Sequence, residues 1–504
     1  MKKNITKKKT MSNKIIATDF YNYRKCKFLP YIEKHGDQRK KVEVSRFVRL
    51  LWERGLQHED KIIEEIIGKD GRTFARIKKT EPVNKRTFEK TIALMKRGID
   101  YIYQGVLLSD NYAGRPDLLE KVKGSSKFGN YYYIPVDIKS GKGYRGDSFK
   151  EGKPKISYKL QLTFYVLLLS QIQEYKPSFG KIINIDKEEL KYKISTKEKR
   201  FQKVLDEIEQ MTQGKKLYEP AIGGKCSLCP WQDHCFKWAK ERQDLSLLFS
   251  LGTLKYGMQD YGVKKIDDIL DKPLDKWLDE LEEIKDKGYF YRISKKKFKK
   301  IYKRAEVFKE GKERIYSKLN FPETSKEIHF DIEDDPTQDV VYLFGFWIRD
   351  FDKNQEYYKY IMADNLEEEE EVTRKLWDFL KKNQGTPIYH YSHHEISTLK
   401  RLQEKYDLDK SVIDQLEEDS VDLYRKVKRH SDWPLYSYGL KAICKYIGFS
   451  WSAADAGGAN SIEWFSQFLK GDKKMKEKIL KYNKEDCQAT AYLKDYLVKK
   501  SKNL

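Results

Sequence analysis

Three cysteines within ten positions, in the stretch KCSLCPWQDHC at 225–235, constrain the folding of this chain more than any other feature in it. Only six cysteines occur among 504 residues. In a reducing compartment a C-x2-C spacing is more often a metal site than a disulfide. Three thiolates complete neither a structural zinc site nor an iron-sulfur cluster, so a fourth ligand is needed. The only cysteine early in the chain is Cys26, 200 residues before Cys226. A cofactor held by Cys26, Cys226, Cys229 and Cys235 would staple together the two ends of whatever folds between them. Spacing alone leaves zinc and iron-sulfur both open. Cys444 and Cys487 stand apart and are expected simply to be packed.

Charge supplies the next constraint. With 101 Lys+Arg against 78 Asp+Glu the formal net charge is +23, a surface that attracts polyanions, so nucleic acid is the first partner to test. A lysine-rich proteome gives the same balance without any such partner. The N-terminus MKKNITKKKTMSNK has no apolar stretch behind its lysines, and the longest apolar run, FYVLLL at 164–169, is too short to cross a bilayer. A soluble, cytoplasmic protein with no membrane partner is expected.

The length suggests about three domains. Residues 40–66 carry apolar positions at helical spacing, YYYIPVDIKS at 131–140 has the aromatic and β-branched character of a strand, and KLQLTFYVLLLSQI at 159–172 reads as a helix packed on a sheet. Residues 241–320 offer short helices and no convincing strand. From 326 the pattern changes: KEIHFDIEDDP and VVYLFGFWI form a hairpin, NLEEEEEVTRKLWDFLKKN a helix whose glutamates Glu367 to Glu371 are expected to be a solvated start, and PIYHYS a further strand. The fold class is α/β multidomain.

Two groups of acids carry chemistry. Asp137 and Lys139, in VDIKSGK, are two residues apart on the predicted strand and leave the same face, and a hairpin brings Asp117 of GRPDLLEKV alongside. Carboxylates of this kind bind Mg²⁺ or Mn²⁺, which lower the pKa of a bound water and polarise a phosphodiester, while a nearby ammonium orients the water or stabilises developing charge. The combination of GRPD, DIKSG and then Gln161 and Tyr165 one helical turn apart resembles the PD-(D/E)xK nucleases of the RecB family, including the CRISPR-associated exonucleases. The resemblance implies a restriction-endonuclease-like fold in which Asp117, Asp137 and Lys139 are catalytic, Gln161 and Tyr165 support the site, and His58, in RGLQHE, is a metal ligand. It also bears on the cysteines, because one cysteine before the core and three after it resemble the iron-sulfur members of that family, which implies a [4Fe-4S] cluster, with Zn²⁺ as the competitor.

In the second group, Asp331 and Glu333 again alternate on a strand. Glu395, in HYSHHEISTLKRL, starts a helix, and Tyr482 and Asp486, in YNKEDCQATAYL, are four apart and share a helical face. Four acids so placed could hold two metal ions, with the tyrosine orienting a water. FDIE, HYxxxE, VDLY, SYGLKAICKYIGF and YNKED together resemble the DEDD exonucleases of the ribonuclease H-like fold over about 326–497. Glu395 departs from the aspartate usual there. Asp422 is a second candidate acid, expected to be structural.

In the connector, YGVKKIDDIL at 261–270 has the turn and helix of a helix-hairpin-helix module, and GYFYRISKKKFKKIYKR at 288–304 interleaves aromatics with cations. Each has a plain structural alternative, a linker and an amphipathic helix. The domain expectation is therefore a RecB-like nuclease at 1–240, a helical connector at 241–320 and a DEDD exonuclease at 321–504. The function implied is a metal-dependent DNA nuclease, an exonuclease acting on single strands or ends. The alternatives are a nucleic-acid-binding scaffold with inactive sites, or an RNA exonuclease working through the C-terminal site. No G-x4-GK[ST] occurs, so a helicase is expected only as a separate partner.

Overall fold

The computed structural model describes residues 14–67, 71–146, 152–452 and 457–502; the lysine-rich segment 1–13 lies outside them. Two compact units emerge, one drawn from Met1–Glu43 and Arg49–Ala221, the other from Val44–Val48 and Ile222–Leu504. The stretch with Cys226, Cys229 and Cys235, and the helices of 241–320, fall in the second unit, and Cys26 in the first.

The elements that build the first unit are α1 (Ala17–Lys25), α2 (Arg46–Ile67), β1 (Phe74–Arg76), β2 (Tyr101–Tyr103), β3 (Leu118–Ser126), β4 (Gly129–Ile138), α3 (Ile156–Gln173), β5 (Phe179–Ile183), β6 (Glu189–Lys193) and α4 (Lys199–Thr212). Their strands form one sheet in the order β6-β5-β4-β3-β2-β1. β4 is its centre, antiparallel to β3 and parallel to β5. Covered on both faces, it reads as a continuous apolar run, YYYIPVDI, in place of an alternating one. Ile134 and Val136 pack with Ile62 and Ile63 of α2 on one face, while Tyr133 packs with Phe164 and Leu168 of α3 on the other. Phe20 of α1 and Phe201 of α4 complete the α3 side, their rings stacked 5.5 Å apart.

The second unit is mixed α/β as well. Its elements include α5 (Gln232–Glu241), α6 (Leu274–Asp286), α7 (Lys295–Glu310), β7 (Lys326–Asp335), β8 (Val340–Asp350), β9 (Gln355–Met362), α8 (Glu369–Lys382), β10 (Ile388–His390), α9 (His394–Lys405), β11 (Ser420–Asp422), α10 (Leu423–His430), α11 (Leu440–Tyr446), α12 (Gly458–Leu469) and α13 (Lys474–Ser501). The sheet order is β9-β8-β7-β10-β11, with β7, β8 and β9 antiparallel and β10 and β11 added in parallel. Phe330 and Phe346, stacked at 5.1 Å across β7 and β8, sit in the main core with Leu376 of α8. A bulge falls between Glu333 and Asp334.

Several local features differ from the sequence expectation. β9, QEYYKYIM, is an edge strand whose residues are mostly exposed, so it lacks the apolar rhythm that identifies a strand. Within the glutamate run, Glu370 and Glu371 are solvated and pair with Arg374 and Lys375 one turn on. Glu369 is not solvated; it is 3% exposed and its carboxylate accepts from Val341 N at 2.7 Å and from Lys405 and Tyr406 at 2.5 Å. It ties α8 to β8 and α9. In the connector, Phe290 and Phe298 are buried against Trp277, with centroids 5.9 and 5.5 Å away, while Tyr291 is 69% exposed. The two-residue strand Arg314–Ile315 pairs with Ser431–Asp432 in a region read as strandless. Among the described residues no helix is long and apolar enough to cross a membrane.

Candidate metal centres

In the first unit the register of β3 on β4 sets Leu118 opposite Val136, which brings Asp117, one residue earlier, beside Asp137. Asp117 Oδ2 accepts from Ile138 N at 2.8 Å. Lys139 Nζ lies 2.9 Å from Asp137 Oδ2, and Lys139 N donates to Ile183 O of β5, so the lysine is fixed by its own strand and by the neighbouring β5. Burial, followed by the charge of Asp137, pushes the Asp117 carboxyl up to about 7, with Lys139 pulling the other way. Burial opposes the Lys139 ammonium, yet the Asp137 and Asp117 carboxylates hold its pKa above the usual lysine range.

The supporting residues are distributed unevenly. Tyr165, 6% exposed, donates to Arg115 O at 3.3 Å and so steadies the loop before Asp117. Gln161 donates to Ala17 O at 3.5 Å, toward α1. His58 is buried with Nε2 3.0 Å from Asn184 O, and that contact leaves Nδ1 as its nitrogen for any ligand. Its neighbour Glu59 faces the acids: Gln104 Nε2 donates to Glu59 Oε1 at 3.0 Å and to Asp117 Oδ1 at 3.3 Å, bridging the two carboxylates. Lys79 and Tyr103 also hold Glu59, each at 2.9 Å. Sequence reasoning passed over Glu59 and Gln104. The one signal available was that Glu59 is adjacent to the histidine chosen, and consecutive residues on a helix point about 100° apart.

The second centre is tighter. Asp331, Glu333 and Asp486 present oxygens that all lie within 4.8 Å of one another. Burial raises all three carboxyls above their usual range; Asp486 and Glu333 push Asp331 up further, Asp486 helps carry Glu333 to about 8, and at Asp486 itself Lys441, Tyr482 and Trp451 pull the other way. The charge of Glu395 adds to the rise at Asp331. Glu395 itself, 4% exposed, has a buried Oε2 with no hydrogen-bond partner, 3.4 Å from the equally unpartnered Nδ1 of His390. Three crowded carboxylates beside an orphaned fourth fit a hard divalent cation, whose charge would relieve the repulsion.

A frame of donors surrounds these acids. Asn483 Nδ2 donates to Asp331 Oδ2 at 2.9 Å while its Oδ1 accepts from Tyr358 of β9 at 2.7 Å. Trp451 Nε1 donates to Asp486 Oδ1 at 2.6 Å. Lys441 Nζ donates to Tyr482 OH at 2.8 Å and stands 4.2 Å from that ring's centroid, and burial lowers its pKa. Burial and the nearby acids keep Tyr482 a neutral phenol, able to donate. Gly345, directly opposite Asp331, is required here: a Cβ would stand 1.6 Å from Asn483 Oδ1. Asn483, Lys441, Trp451 and Gly345 were not singled out from sequence. Asp422 caps α10 by accepting from Arg425 N at 3.0 Å.

The remaining sequence features resolve locally. Cys229 N donates to Cys226 O at 3.0 Å, closing a turn, and Cys235 is in the first turn of α5. In the connector, the amides of Lys264 and Lys265, which a phosphate would need, donate to Asp268 at 2.7 and 3.0 Å. This is the internal cap of a five-residue helix.

Residues 21–236 match the model of the PD-(D/E)XK nuclease superfamily, and residues 328–498 match RNase_H_2 of the RNase_H superfamily. A search of curated proteins gave no match. The fold is thus α/β, with a PD-(D/E)XK domain and a ribonuclease H-like domain in one chain. Two nuclease-superfamily domains, each with an acidic centre, support metal-dependent phosphodiester hydrolysis.

Proposed function

We propose that the chain is a metal-dependent DNA nuclease, an exonuclease acting on single strands or ends, in three domains: a RecB-like nuclease at 1–240, a helical connector at 241–320 and a DEDD-type exonuclease at 321–504. The observation that carries the reading is the triangle of Asp331, Glu333 and Asp486 within 4.8 Å, built on alternate positions of a strand and one helix. A bound Mg²⁺ or Mn²⁺ would supply Lewis acidity and a water of lowered pKa. Asp331, Glu333, Glu395 and Asp486 would hold it in the second centre; Tyr482 would donate to the attacking water or the scissile phosphate. In the first centre Asp117, Asp137 and His58 would hold the ion, Glu59 would add a carboxylate, and Lys139 would orient the nucleophile. Gln161 and Tyr165 would position the α3 side.

The four cysteines Cys26, Cys226, Cys229 and Cys235 are read as ligands of a [4Fe-4S] cluster. Anaerobically purified protein is then brown with about four iron per chain; stoichiometric zinc in place of iron sinks that assignment. A cytoplasmic protein of net charge +23 acting on DNA binds with steep salt dependence, and a separate helicase would supply strands. The deciding experiment is degradation of end-labelled single- and double-stranded DNA and RNA with Mg²⁺ or Mn²⁺, by wild type, Asp117→Ala and Asp331→Ala. Metal-dependent DNA products lost in the variants support the reading. Binding that survives every substitution with no products in wild type identifies a scaffold, and cleavage confined to RNA and lost with Asp331→Ala identifies an RNA exonuclease.

A further inference from the structure

Beside the second centre, α10 and the turn that leads into α9 enclose a groove of about 480 Å³, continued by a second hollow of about 610 Å³. The two share His393, Asp422, Arg425 and Arg429. The sequence LYRKVKRH explains the shape. Leu423 and Val427 are fully buried, one turn apart, and they anchor α10 so that Arg425, Lys428 and Arg429 are turned outward and exposed. Lys426 lines the first hollow and Lys300 of α7 the second.

On this face cations without a carboxylate partner line an enclosed hollow. Many other surface cations do have one, as Lys381 has Asp409 at 3.0 Å and Arg374 has Glu370 at 2.7 Å. Among the described residues, Arg425, Lys428 and Arg429 have no carboxylate partner. The two acids that line the hollows are already engaged, Glu417 by Lys400 and Asp422 by the amides of Arg425 and Ser392 at 3.0 and 3.3 Å. The crowding is felt by His430, whose pKa is lowered by burial and then by Lys426, Arg429 and Lys300. A site of uncompensated cations two guanidinia wide suits an anion with repeated charges.

The groove also reaches the acids. His390 lines it, and His390 Nδ1 is 3.4 Å from Glu395 Oε2. Between groove and acid runs the turn at Ser392, a non-glycine residue at φ +111° held by its amide on Asp422 and by His394 N on its hydroxyl. Strain of this kind persists only where the surroundings enforce it. Arg425 and Arg429 are four residues apart on one helix, about 6 Å along its axis, and so stand side by side as consecutive phosphates of one strand do.

We propose that this groove grips the phosphodiester backbone of a single nucleic-acid strand, Arg425 and Arg429 each taking one of two consecutive phosphates, and carries that strand past His390 to the acidic centre at Glu395. Recognition is carried by phosphate, since cations supply it at Arg425 and Arg429; the rings beside them include Tyr424 in the second hollow and His393 in both. The path rests on the nuclease reading; the binding does not.

The test is fluorescence anisotropy of a labelled twenty-nucleotide oligothymidylate with the full-length protein in EDTA, across a series of salt concentrations. Arg425→Glu/Arg429→Glu is expected to bind at least about tenfold more weakly, with the slope of log K against log salt shallower by about 1.4, two single-strand phosphate contacts at about 0.7 each. Arg425→Lys/Arg429→Lys should retain most of the affinity. Lys199→Glu/Lys203→Glu, the same charge change at the same spacing on α4, is the control for net charge. Unchanged affinity and slope in the Arg425/Arg429 reversal overturns the proposal, and so does an equal loss in the control pair. Equal competition by polyglutamate and by unlabelled oligonucleotide also overturns it, since the groove would then be a site for any polyanion. Should the reversal fail to fold, judged by its melting curve, Arg425→Ala/Arg429→Ala is read by the same criteria. Because no cleavage occurs in EDTA, a loss of binding in a protein that cuts nothing with any metal leaves the groove standing and removes the nuclease reading; intact binding by the variants beside metal-dependent cleavage does the reverse.

Discussion

The two acidic centres use the same local device, a pair of functional side chains at alternate positions of a strand, and differ in how their charge is balanced. In the first, Lys139 lies 2.9 Å from Asp137, so one ammonium sits inside the acid pair. In the second, three carboxylates crowd within 4.8 Å while Lys441 donates to Tyr482. The first centre is partly self-compensated. In the second, Lys441 pulls all three carboxyls down from a distance without an ion pair to any of them, burial still raises all three, and the repulsion that remains is relieved by an external cation or by protons. The same alternation on a strand thus serves two electrostatic designs, with a lysine, Lys139 in VDIKS, at the second position of one and an acid, Glu333 in FDIE, at that of the other.

The largest effects separate the centres by activity. Asp117→Ala or Lys139→Ala is expected to remove most DNA cleavage, at least about a hundredfold, or about 2.7 kcal/mol of transition-state stabilisation. Asp331→Ala should remove a smaller or substrate-specific part. Measured on end-labelled DNA, total loss in Asp331→Ala with no change in Asp117→Ala would reverse the ranking of the two centres.

Next comes the pH dependence of stability in metal-free protein. The folded-state pKa of Glu333, about 8, is above its ordinary 4.5, so between these values the folded chain holds a proton that the unfolded chain has lost. The contribution is therefore complete at low pH and declines as pH rises toward about 8, by at most about 1.4 kcal/mol per pH unit for this group. For Asp117 the corresponding window runs from 3.8 to about 7. Thermal unfolding in chelator, followed from pH 4 to 9, should show declining stability that Glu333→Gln and Asp117→Asn each flatten within their own windows. Saturating Mn²⁺ should flatten the upper window. A melting temperature level across that range in wild type would show that the crowding is relieved some other way.

Smaller effects probe the frame. Gly345→Ala drives a methyl group into Asn483 and should cost about 1–3 kcal/mol, the usual range for overpacking, together with activity at the second centre alone. Tyr358→Phe removes one hydrogen bond to Asn483 and should cost about 1 kcal/mol in the same unfolding assay. If Gly345→Ala impaired the first centre equally, the two would not be independent.

What could be read from the chain follows from what is local. Asp331 and Glu333 are related by strand alternation, Tyr482 and Asp486 by one helical turn, and Asp117 and Asp137 by a hairpin; each relation is visible within a few to twenty residues. Gln104, Lys441, Trp451 and Asn483 reach their partners by tertiary packing, which leaves no periodic trace. Gly345 is defined by a side chain 138 positions away, Asn483, that needs its space. Glu369 looked like its solvated neighbours because composition cannot tell which of five glutamates turns inward. β9 escaped because an exposed edge strand has no buried face to impose alternation.

The bulge between Glu333 and Asp334 divides the hairpin into two stretches with different tolerance of length change. Ahead of it, gaining or losing one residue rotates every following side chain to the opposite face, exchanging Asp331 and Glu333 for Phe330 and Ile332 and placing acids in the core. Beyond it, Asp335 has left the row of metal-facing acids to cap the turn, accepting from Thr337 N at 3.0 Å and Gln338 Nε2 at 2.9 Å. Insertions and deletions are therefore absorbed on the turn side of the bulge, and the spacing from Phe330 to Glu333 is the part of the hairpin that must stay fixed in length among descendants of this sequence.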